Sequence, residues 1–244
     1  MKVLAPMAGI TDGLFCSKLA PQGFDMVTTG GFNVDRKTLK AGKSIIQRGR
    51  PEFEIPQNQI LPFIERQINV IKENSTWKGM ISVNLRSTTP SPIIEVSNIG
   101  GVDVVEINAH CRQPEIMELG CGQSLLHNPD KLFQFTREVV EKSGCKVSVK
   151  IRANVPDTDI YAVSKSVENA GADFLHVDAM KPGFPHADYE VITSIKDSTN
   201  IFLIGNNSIK DVNSARKMLN AGADGISMAR VVLNGELPFT LSSI

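Results

Sequence analysis

The 244-residue chain has few cysteines and no surplus of charge of either sign. Its four cysteines, Cys16, Cys111, Cys121 and Cys145, are too sparse for a disulfide framework and form no C-x-x-C motif. This usage is typical of proteins of the reducing cytoplasm. Basic and acidic residues number 26 each, so the net charge of zero gives no overall attraction to nucleic acids or membranes.

The chain also lacks a long apolar segment. No stretch approaches the roughly 18–20 uninterrupted apolar residues that a membrane helix needs, and Pro6 and Asp12 interrupt the apolar N-terminus before it reaches signal-peptide length. We therefore expect a mature, soluble protein. The 41% of hydrophobic and 21% of charged residues exclude a disordered chain or a coiled coil. The length suits a single domain over 1–244, since a closed α/β barrel uses roughly 250 residues.

Short β-rich runs alternate along the chain with segments of helical spacing. Several runs, such as Val102–Ile107, have apolar residues on both sides of the alternation, as do parallel strands covered by helices. The eight predicted strands are Val3–Ala5, Met26–Thr29, Met80–Leu85, Val102–Ile107, Lys146–Ile151, Phe174–Val177, Ile201–Ile204 and Gly225–Met228. The clearest predicted helices are Leu61–Glu73, Pro129–Lys142, Asp157–Ala170, Ala187–Lys196 and Ile209–Ala221.

A local phrase repeats where a predicted helix leads into a strand. Residues 169–173 and 220–224 both read Asn-Ala-Gly-Ala-Asp, and 98–103 is a looser copy. Glycine takes the left-handed conformation just after a helix, so the copies indicate repeated connections on one side of one sheet. Strands alternating with helices predict an α/β protein, a single (β/α)8 TIM barrel. No G-x-G-x-x-G motif follows the first strand, which weakens the doubly wound alternative. Only residues 229–244 follow the eighth strand, so the last helix is expected to be short or missing.

Polar residues follow the predicted strands at their carboxyl ends, where a barrel carries its active site. Lys150 stands out, because burying an ammonium without a partner after an apolar strand is costly. The others are Asn84, Arg86, Asn108, His110, Cys111, Arg152, His176, Asp178, Asn206, Asn207 and Arg230, the last of which follows Ala229.

Structural explanations of these residues stay open. Lys150 can extend its ammonium to solvent or pair with Glu106 on the adjacent strand. His176 can be a hydrogen-bonded core residue. Cys111 can be an ordinary loop thiol, and the two asparagines at 206–207 can be turn residues. The spacing of the cysteines and histidines matches no standard metal site, so we expect no metal.

Two segments near the end of the chain indicate a phosphate site. Residues 204–209, Ile-Gly-Asn-Asn-Ser-Ile, are predicted to open a helix, and Arg230 follows the last strand. Barrels often bind phosphate at the loops after strands seven and eight, through backbone N–H groups at helix N-termini. The ligand or cofactor is therefore expected to carry a phosphate group.

Five stretches, in the same order along the chain, resemble the flavin-dependent tRNA-dihydrouridine synthases. The second of them is similar to that family's catalytic-cysteine loop, the third to its fifth strand, and the last two to its phosphate end. Together they span most of the predicted barrel. They are Leu4–Asp12, Glu106–Cys111 with Gly122–Leu126, Val149–Arg152, Ile204–Ile209 and Gly222–Arg230.

The resemblance implies a bound flavin mononucleotide (FMN) that is reduced by NADPH or NADH. A reduced flavin passes hydride from N5 to one carbon of a uridine C=C bond in tRNA, and a nearby acid protonates the other carbon. The resemblance also implies a role for each site residue. The flavin ring would be contacted by Pro6, Met7 and Ala8, its polar edge by Asn84, its N1 and O2 by Lys150, another part of the cofactor by His176, and its phosphate by Asn206, Asn207, Ala229 and Arg230. Asn108 and Arg152 would bind the substrate, and Cys111 would be the general acid.

The chain departs from the family pattern at several places. His110 and Arg112 flank the cysteine where the family usually has glycine and proline, and a neighbouring imidazole is able to change the role of a thiol. Asn84 replaces the usual glutamine and Ala229 the usual glycine. Only Val231–Ile244 follows the predicted barrel, so we expect no counterpart of the C-terminal helical domain that helps the family to grip tRNA.

One further segment bears on the partner of this protein. Asp35–Arg50 holds six basic residues against one acid, and is either an RNA-contacting face or a solvated helix or loop. Besides tRNA reduction, two functions stay open: a related flavoprotein acting on a free small molecule, as dihydroorotate dehydrogenases do, and a barrel without catalysis that serves in binding.

Overall fold

In a computed structural model that describes residues 1–74 and 76–244, eight parallel strands close into a barrel in sequential order. The last strand pairs with the first, with Val3 opposite Ser227. This arrangement confirms the predicted TIM barrel. The strands are β1 (Lys2–Leu4), β2 (Met26–Asn33), β3 (Met80–Arg86), β4 (Val104–Ala109), β5 (Lys146–Arg152), β6 (Phe174–Asp178), β7 (Phe202–Asn206) and β8 (Gly225–Met228).

The described residues contain nine α-helices, of which seven form the outer ring. The other two, α2 and α5, are additional helices inserted between a strand and its ring helix, after β2 and β4. The helices are α1 (Gly13–Leu19), α2 (Arg36–Gln47), α3 (Ile60–Lys72), α4 (Ser91–Ser97), α5 (Pro114–Met117), α6 (Pro129–Lys142), α7 (Ile160–Asn169), α8 (Tyr189–Ser198) and α9 (Val212–Asn220). None of these helices is long and apolar enough to cross a membrane. After β8 the described residues form two 3₁₀ turns, Arg230–Val232 and Leu241–Ser243, in agreement with the expected short last helix.

The structure decides between helix and loop for one segment and corrects the start of a predicted helix in another. The basic stretch that begins at Asp35 is a helix, α2, because Thr38, Ala41, Gly42 and Ile45 form a buried face at helical spacing. The helix expected to open at Ile209 begins at Val212 instead, because Asp211 takes extended backbone and caps it.

The lumen of the barrel changes from apolar to polar along the strands. Near the strand starts it is closed by a cluster of five buried residues, Val3, Met26, Val104, Phe174 and Ile204. Because strand side chains alternate between faces, the next lumen positions after Val104 and Phe174 are Glu106 and His176. The polar groups therefore lie above an apolar floor, toward the carboxyl ends of the strands.

The repeated phrase at the helix-to-strand junctions has two structural functions. Its glycines, Gly101, Gly171 and Gly222, have φ of 98°, 85° and 104°, the left-handed conformation that ends a helix. Its last residue is an aspartate that accepts a hydrogen bond from the backbone N–H of the preceding strand. Asp173 accepts from Val147 at 2.9 Å, and Asp103 and Asp224 bind Ile81 and Leu203 in the same way.

We expect Asp173→Ala to lower the free energy of unfolding by about 1–2 kcal/mol, because the Val147 N–H loses a charged acceptor. Asp173→Asn keeps an acceptor oxygen and should lose less. Urea unfolding followed by circular dichroism measures both. Equal losses in the two variants would show that the contact is not a source of stability.

Candidate active site

Two adjoining cavities open at the carboxyl ends of the strands. The larger has a volume of about 940 Å³ and the smaller about 330 Å³. Most sequence-predicted site residues line one or both of them. Lys150 lies on the wall of both, Met7 does as well, and Arg230 lines the larger cavity, so these three predicted cofactor residues share one site. The remaining predicted residues on these walls are Pro6, Ala8, Asn84, Asn108, Cys111, Arg152, Asn206, Asn207 and Ala229.

His176 is the predicted site residue that the structure places elsewhere. Its side chain is fully buried beneath the cavities and is not among the described residues that line them. Its Nε2 lies 3.1 Å from Lys150 Nζ and 2.6 Å from Ser227 Oγ. Because an ammonium can only donate, Nε2 accepts from Lys150, and the ring carries its proton on Nδ1. His176 therefore contacts Lys150 from below.

Glu106 is the centre of this buried network. Its Oε2 accepts hydrogen bonds from His176 Nδ1 at 2.8 Å and Ser148 Oγ at 3.0 Å, and its Oε1 accepts from Asn84 Nδ2 at 2.8 Å. Burial alone would raise the pKa of Glu106, but His176 and Lys150 outweigh it and lower the pKa to about 2. Glu106 is thus an ionised carboxylate in the closed interior of the barrel.

Lys150 provides the opposite charge. Burial lowers its pKa, while the nearby carboxylates of Glu106 and Asp178 act in the opposite direction. Within the described residues its ammonium donates to His176, which uses one of its three N–H groups. Lys150 is 2% exposed and lines both cavities, so its remaining donors are available to a ligand there.

The cysteine loop is connected to the same network through two asparagines. Asn84 Oδ1 accepts from Asn108 Nδ2 at 2.8 Å. Asn108 Oδ1 in turn accepts from the backbone N–H groups of His110 and Cys111, at 3.1 and 2.9 Å. A continuous series of hydrogen bonds therefore runs from the Cys111 loop through Asn108 and Asn84 to Glu106.

A buried ion pair beside Cys111 was missed by the sequence interpretation. Arg86 donates Nη1 to Glu52 Oε1 at 3.0 Å and Nη2 to Glu52 Oε2 at 2.5 Å, and its Nη1 lies 3.7 Å from Cys111 Sγ. Arg86 is 1% exposed. The cation next to the thiol is therefore Arg86, whereas the neighbouring His110 faces away. The position of Arg86 at the end of β3 could have marked it as a site residue. Its partner could not be predicted, because Glu52 lies 34 residues upstream in a loop.

His110 belongs to a second polar cluster, which is centred on the carboxylate of Asp178 at the mouth of the barrel. Its Nε2 lies 2.8 Å from Asp178 Oδ2, and Arg152 pairs with the same oxygen at 3.0 Å. Partial burial of the imidazole, together with Lys150 and Arg152, outweighs the effect of Asp178 and lowers the pKa of His110 to about 4. At neutral pH this residue is a neutral hydrogen-bonding group that ties the cysteine loop to β6.

The predicted phosphate end lies along the wall of the larger cavity, which includes Asn206, Asn207, Ala229 and Arg230. Asp211 occupies the N-terminus of α9, where its carboxylate accepts from the Ser214 N–H at 2.7 Å. The side-chain amide groups of Asn206 and Asn207 donate to Ser227 O and Asp178 Oδ1. The 3₁₀ turn that begins at Arg230, by contrast, has no side-chain cap. Donors on this part of the wall include Arg230 and Lys210, which also lines the larger cavity and was not predicted.

We expect Glu106→Gln to lower the free energy of unfolding at pH 7 by about 3–5 kcal/mol, because it removes the buried anion that accepts from His176 and stabilises the buried ammonium of Lys150. Because folding lowers the carboxyl pKa from 4.5 to about 2, the stabilisation is complete above about pH 5 and is lost as the pH falls toward 2. The deficit of the variant should therefore shrink over that range in urea titrations. The exposed Glu141→Gln is the control, and a deficit independent of pH would contradict the assignment.

Comparison with curated proteins identifies two kinds of relative. An uncharacterized protein of Methanocaldococcus jannaschii is 38% identical over 239 residues, which cover 96% of this chain and 90% of the relative. The tRNA-dihydrouridine synthase B of Proteus vulgaris is 24% identical over 239 residues, which cover 93% of this chain. The match spans 66% of the length of that bacterial relative.

Solved structures show similarity of fold. FabK from Thermotoga maritima superposes with a TM-score of 0.62 at 16% identity, covering 95% of this chain and 58% of the other. A 2,3-dimethylmalate lyase superposes with a TM-score of 0.63 at 15% identity, covering 96% and 77%. The family model described as dihydrouridine synthase (Dus) matches residues 57–240. This match covers most of the barrel, including β3 to β8 with the cysteine loop and Lys150, and the chain belongs to the dihydrouridine synthase family.

Proposed function

We propose that this protein is an FMN-dependent oxidoreductase that reduces a uridine C=C bond in tRNA, with NADPH or NADH as the electron donor. The observation that carries the proposal is that Cys111 and Lys150 lie on the wall of one cavity in a chain of the dihydrouridine synthase family. Residues 1–244 would act as a single FMN-binding unit. A reducing cytoplasm would suit its four free thiols.

The residues present fit a flavin. The larger cavity, at about 940 Å³, is within the size range of about 300–1,000 Å³ for small-molecule sites. Lys150 presents buried donors that would suit the electron-rich edge of a flavin, and Pro6 and Met7 would offer apolar contact for its ring. Arg230 and Lys210, at the other part of the cavity, would hold the phosphate.

The chain's own residues would then divide the chemistry. Bound reduced FMN would supply the hydride that adds to one carbon of the uridine C=C bond. Cys111 would give its Sγ proton to the other carbon, so that the two additions complete the reduction. Arg86 would fix the position of Sγ, and Lys150 would stabilise negative charge that develops on the cofactor. Arg152, held by Asp178, would contact the pyrimidine.

A cofactor test uses Lys150→Met. Loss of an ammonium that donates to a buried anionic edge should weaken FMN binding by about 10- to 100-fold, since hydrogen bonds to charged groups contribute about 1.5–3 kcal/mol. Titration of flavin fluorescence measures the Kd. Lys146→Met, at the exposed start of the same strand, is the control. Equal affinities in all three proteins, or no binding by the wild type, would contradict the cofactor assignment.

A catalytic test uses Cys111→Ala on an unmodified tRNA transcript. Loss of the acid should reduce dihydrouridine formation by about 10²- to 10⁴-fold, while reduction of bound flavin by NADPH continues. Mass spectrometry of nucleosides gives the product, and absorbance at the flavin band gives the cofactor. Cys145→Ala, at the amino end of β5, is the matched control.

Two results would contradict this assignment. Undiminished product in the Cys111 variant would remove the thiol from the reaction. Reduction of free uridine monophosphate or orotate by the wild type, without reduction of RNA, would favour the small-molecule flavoprotein.

A further inference from the structure

The helix α2 lies at the mouth of the barrel rather than in its outer ring. It follows β2 directly, and the ring helix α3 comes only after it. It packs against α5, which belongs to the loop that carries Cys111. Ala41 and Ile45 of α2 form one buried cluster with Ile116 and Cys121, and Cys111 packs against that cluster. The helix is thus a neighbour of the proposed catalytic loop.

Both ends of α2 are fixed by polar contacts. Asp35 caps its N-terminus and also accepts from the backbone N–H of Thr88 at 2.5 Å, in the loop after β3. At the other end, Arg48 pairs with Glu115 and donates to Gln113 at 2.8 Å, both in the segment after Cys111. The helix is therefore held against the loop after β3 and against the cysteine loop, which lines the smaller cavity.

The face of α2 that points away from this packing carries only positive charge. No acidic residue occurs between 36 and 51, although the whole chain has a net charge of zero. None of the four cations within the helix lines either cavity. A free small molecule held in the cavities would not contact these four cations. The exposed cations of this segment are Arg36, Lys37, Lys40, Lys43, Arg48 and Arg50.

The positive charge continues from α2 into the site. Seven cationic side chains and two carboxylates line the two cavities. The carboxylates, Glu52 and Asp178, are already paired with Arg86 and Arg152. Arg50 and Arg112 line both cavities, are exposed, and take part in none of the salt bridges formed by the described residues. They connect the basic face of the helix with the surroundings of Cys111.

We infer that the exposed face of α2, continued by Arg50 and Arg112, is a docking surface for the phosphate backbone of the RNA substrate. This inference rests on the proposed function and names the surface that would present the RNA to its site. A helix of 12 residues is about 18 Å long, which is enough to follow several successive phosphates of one strand. The packed, capped helix would offer these cations in a fixed row.

The experiment compares Lys37→Gln/Lys40→Gln/Lys43→Gln with a matched triple variant, Lys18→Gln/Lys72→Gln/Lys78→Gln. The control lysines are exposed and lie near the amino ends of the strands, on the other side of the barrel. The probe is a fluorescein-labelled, unmodified tRNA transcript, followed by fluorescence anisotropy between 50 and 300 mM salt. Melting temperatures verify that all three proteins are folded.

The α2 variant should bind the transcript about 10- to 100-fold more weakly at 0.1 M salt. The slope of log affinity against log salt should fall by about 2–3, because each neutralised phosphate contributes about 0.7–0.9. The control should match the wild type. Equal weakening in both triple variants, or none in either, would overturn the inference while dihydrouridine formation by the wild type would still support the proposed function. A wild-type protein that neither binds nor reduces the transcript would overturn both.

Discussion

Glu106 lies fully buried in the barrel lumen, and its two oxygens accept hydrogen bonds from side chains on β3, β5 and β6. The apolar floor beneath it excludes water from that side, so the carboxylate must find its partners within the protein. Those partners determine where the site residues stand. His176 supports Lys150, and Asn84 with Asn108 supports the cysteine loop, so the proposed acid and the proposed cofactor contact depend on one anion.

A second carboxylate repeats this arrangement nearer to the mouth. Asp178 accepts from Arg152, His110 and Asn207, which belong to β5 and to the loops after β4 and β7. Each buried acid is neutralised by groups around it. The remaining cations on the cavity walls are not neutralised by these acids. The site is therefore positively charged, although the whole chain has no net charge. An anionic cofactor and an anionic polymer are both compatible with this field.

Much of the barrel could be predicted because its signals are local. Apolar runs identified all eight strands, and the glycine–aspartate phrase marked three helix-to-strand junctions. The residues at strand ends could be placed in one site, because parallel strands in a barrel end at one mouth. The phosphate-end helix was placed too early, although Asp211 and Ser214 form a capping pair that was readable from the sequence.

What the sequence did not indicate are contacts between distant segments. Nothing in the sequence around Glu52 indicates that Arg86 will bind it. The helix α2 was not predicted, because it has few apolar residues and its buried face includes small side chains such as Ala41 and Gly42. The resemblance assigned His176 to the cofactor from its place on the sixth strand. Its hydrogen bonds go to Ser227 and Glu106, two residues on other strands that no local pattern links to it.

The pair between Arg86 and Glu52 has a consequence for how such barrels can be recombined. Glu52 reaches Arg86 from the connection that also contains α2, and Arg86 touches the cysteine. A chimera that exchanged residues 34–56 with those of another barrel, while keeping β3, would bury a guanidinium without its carboxylate. The β2–α3 connection, β3 and the cysteine loop therefore form one module, and they have to be inherited or swapped together.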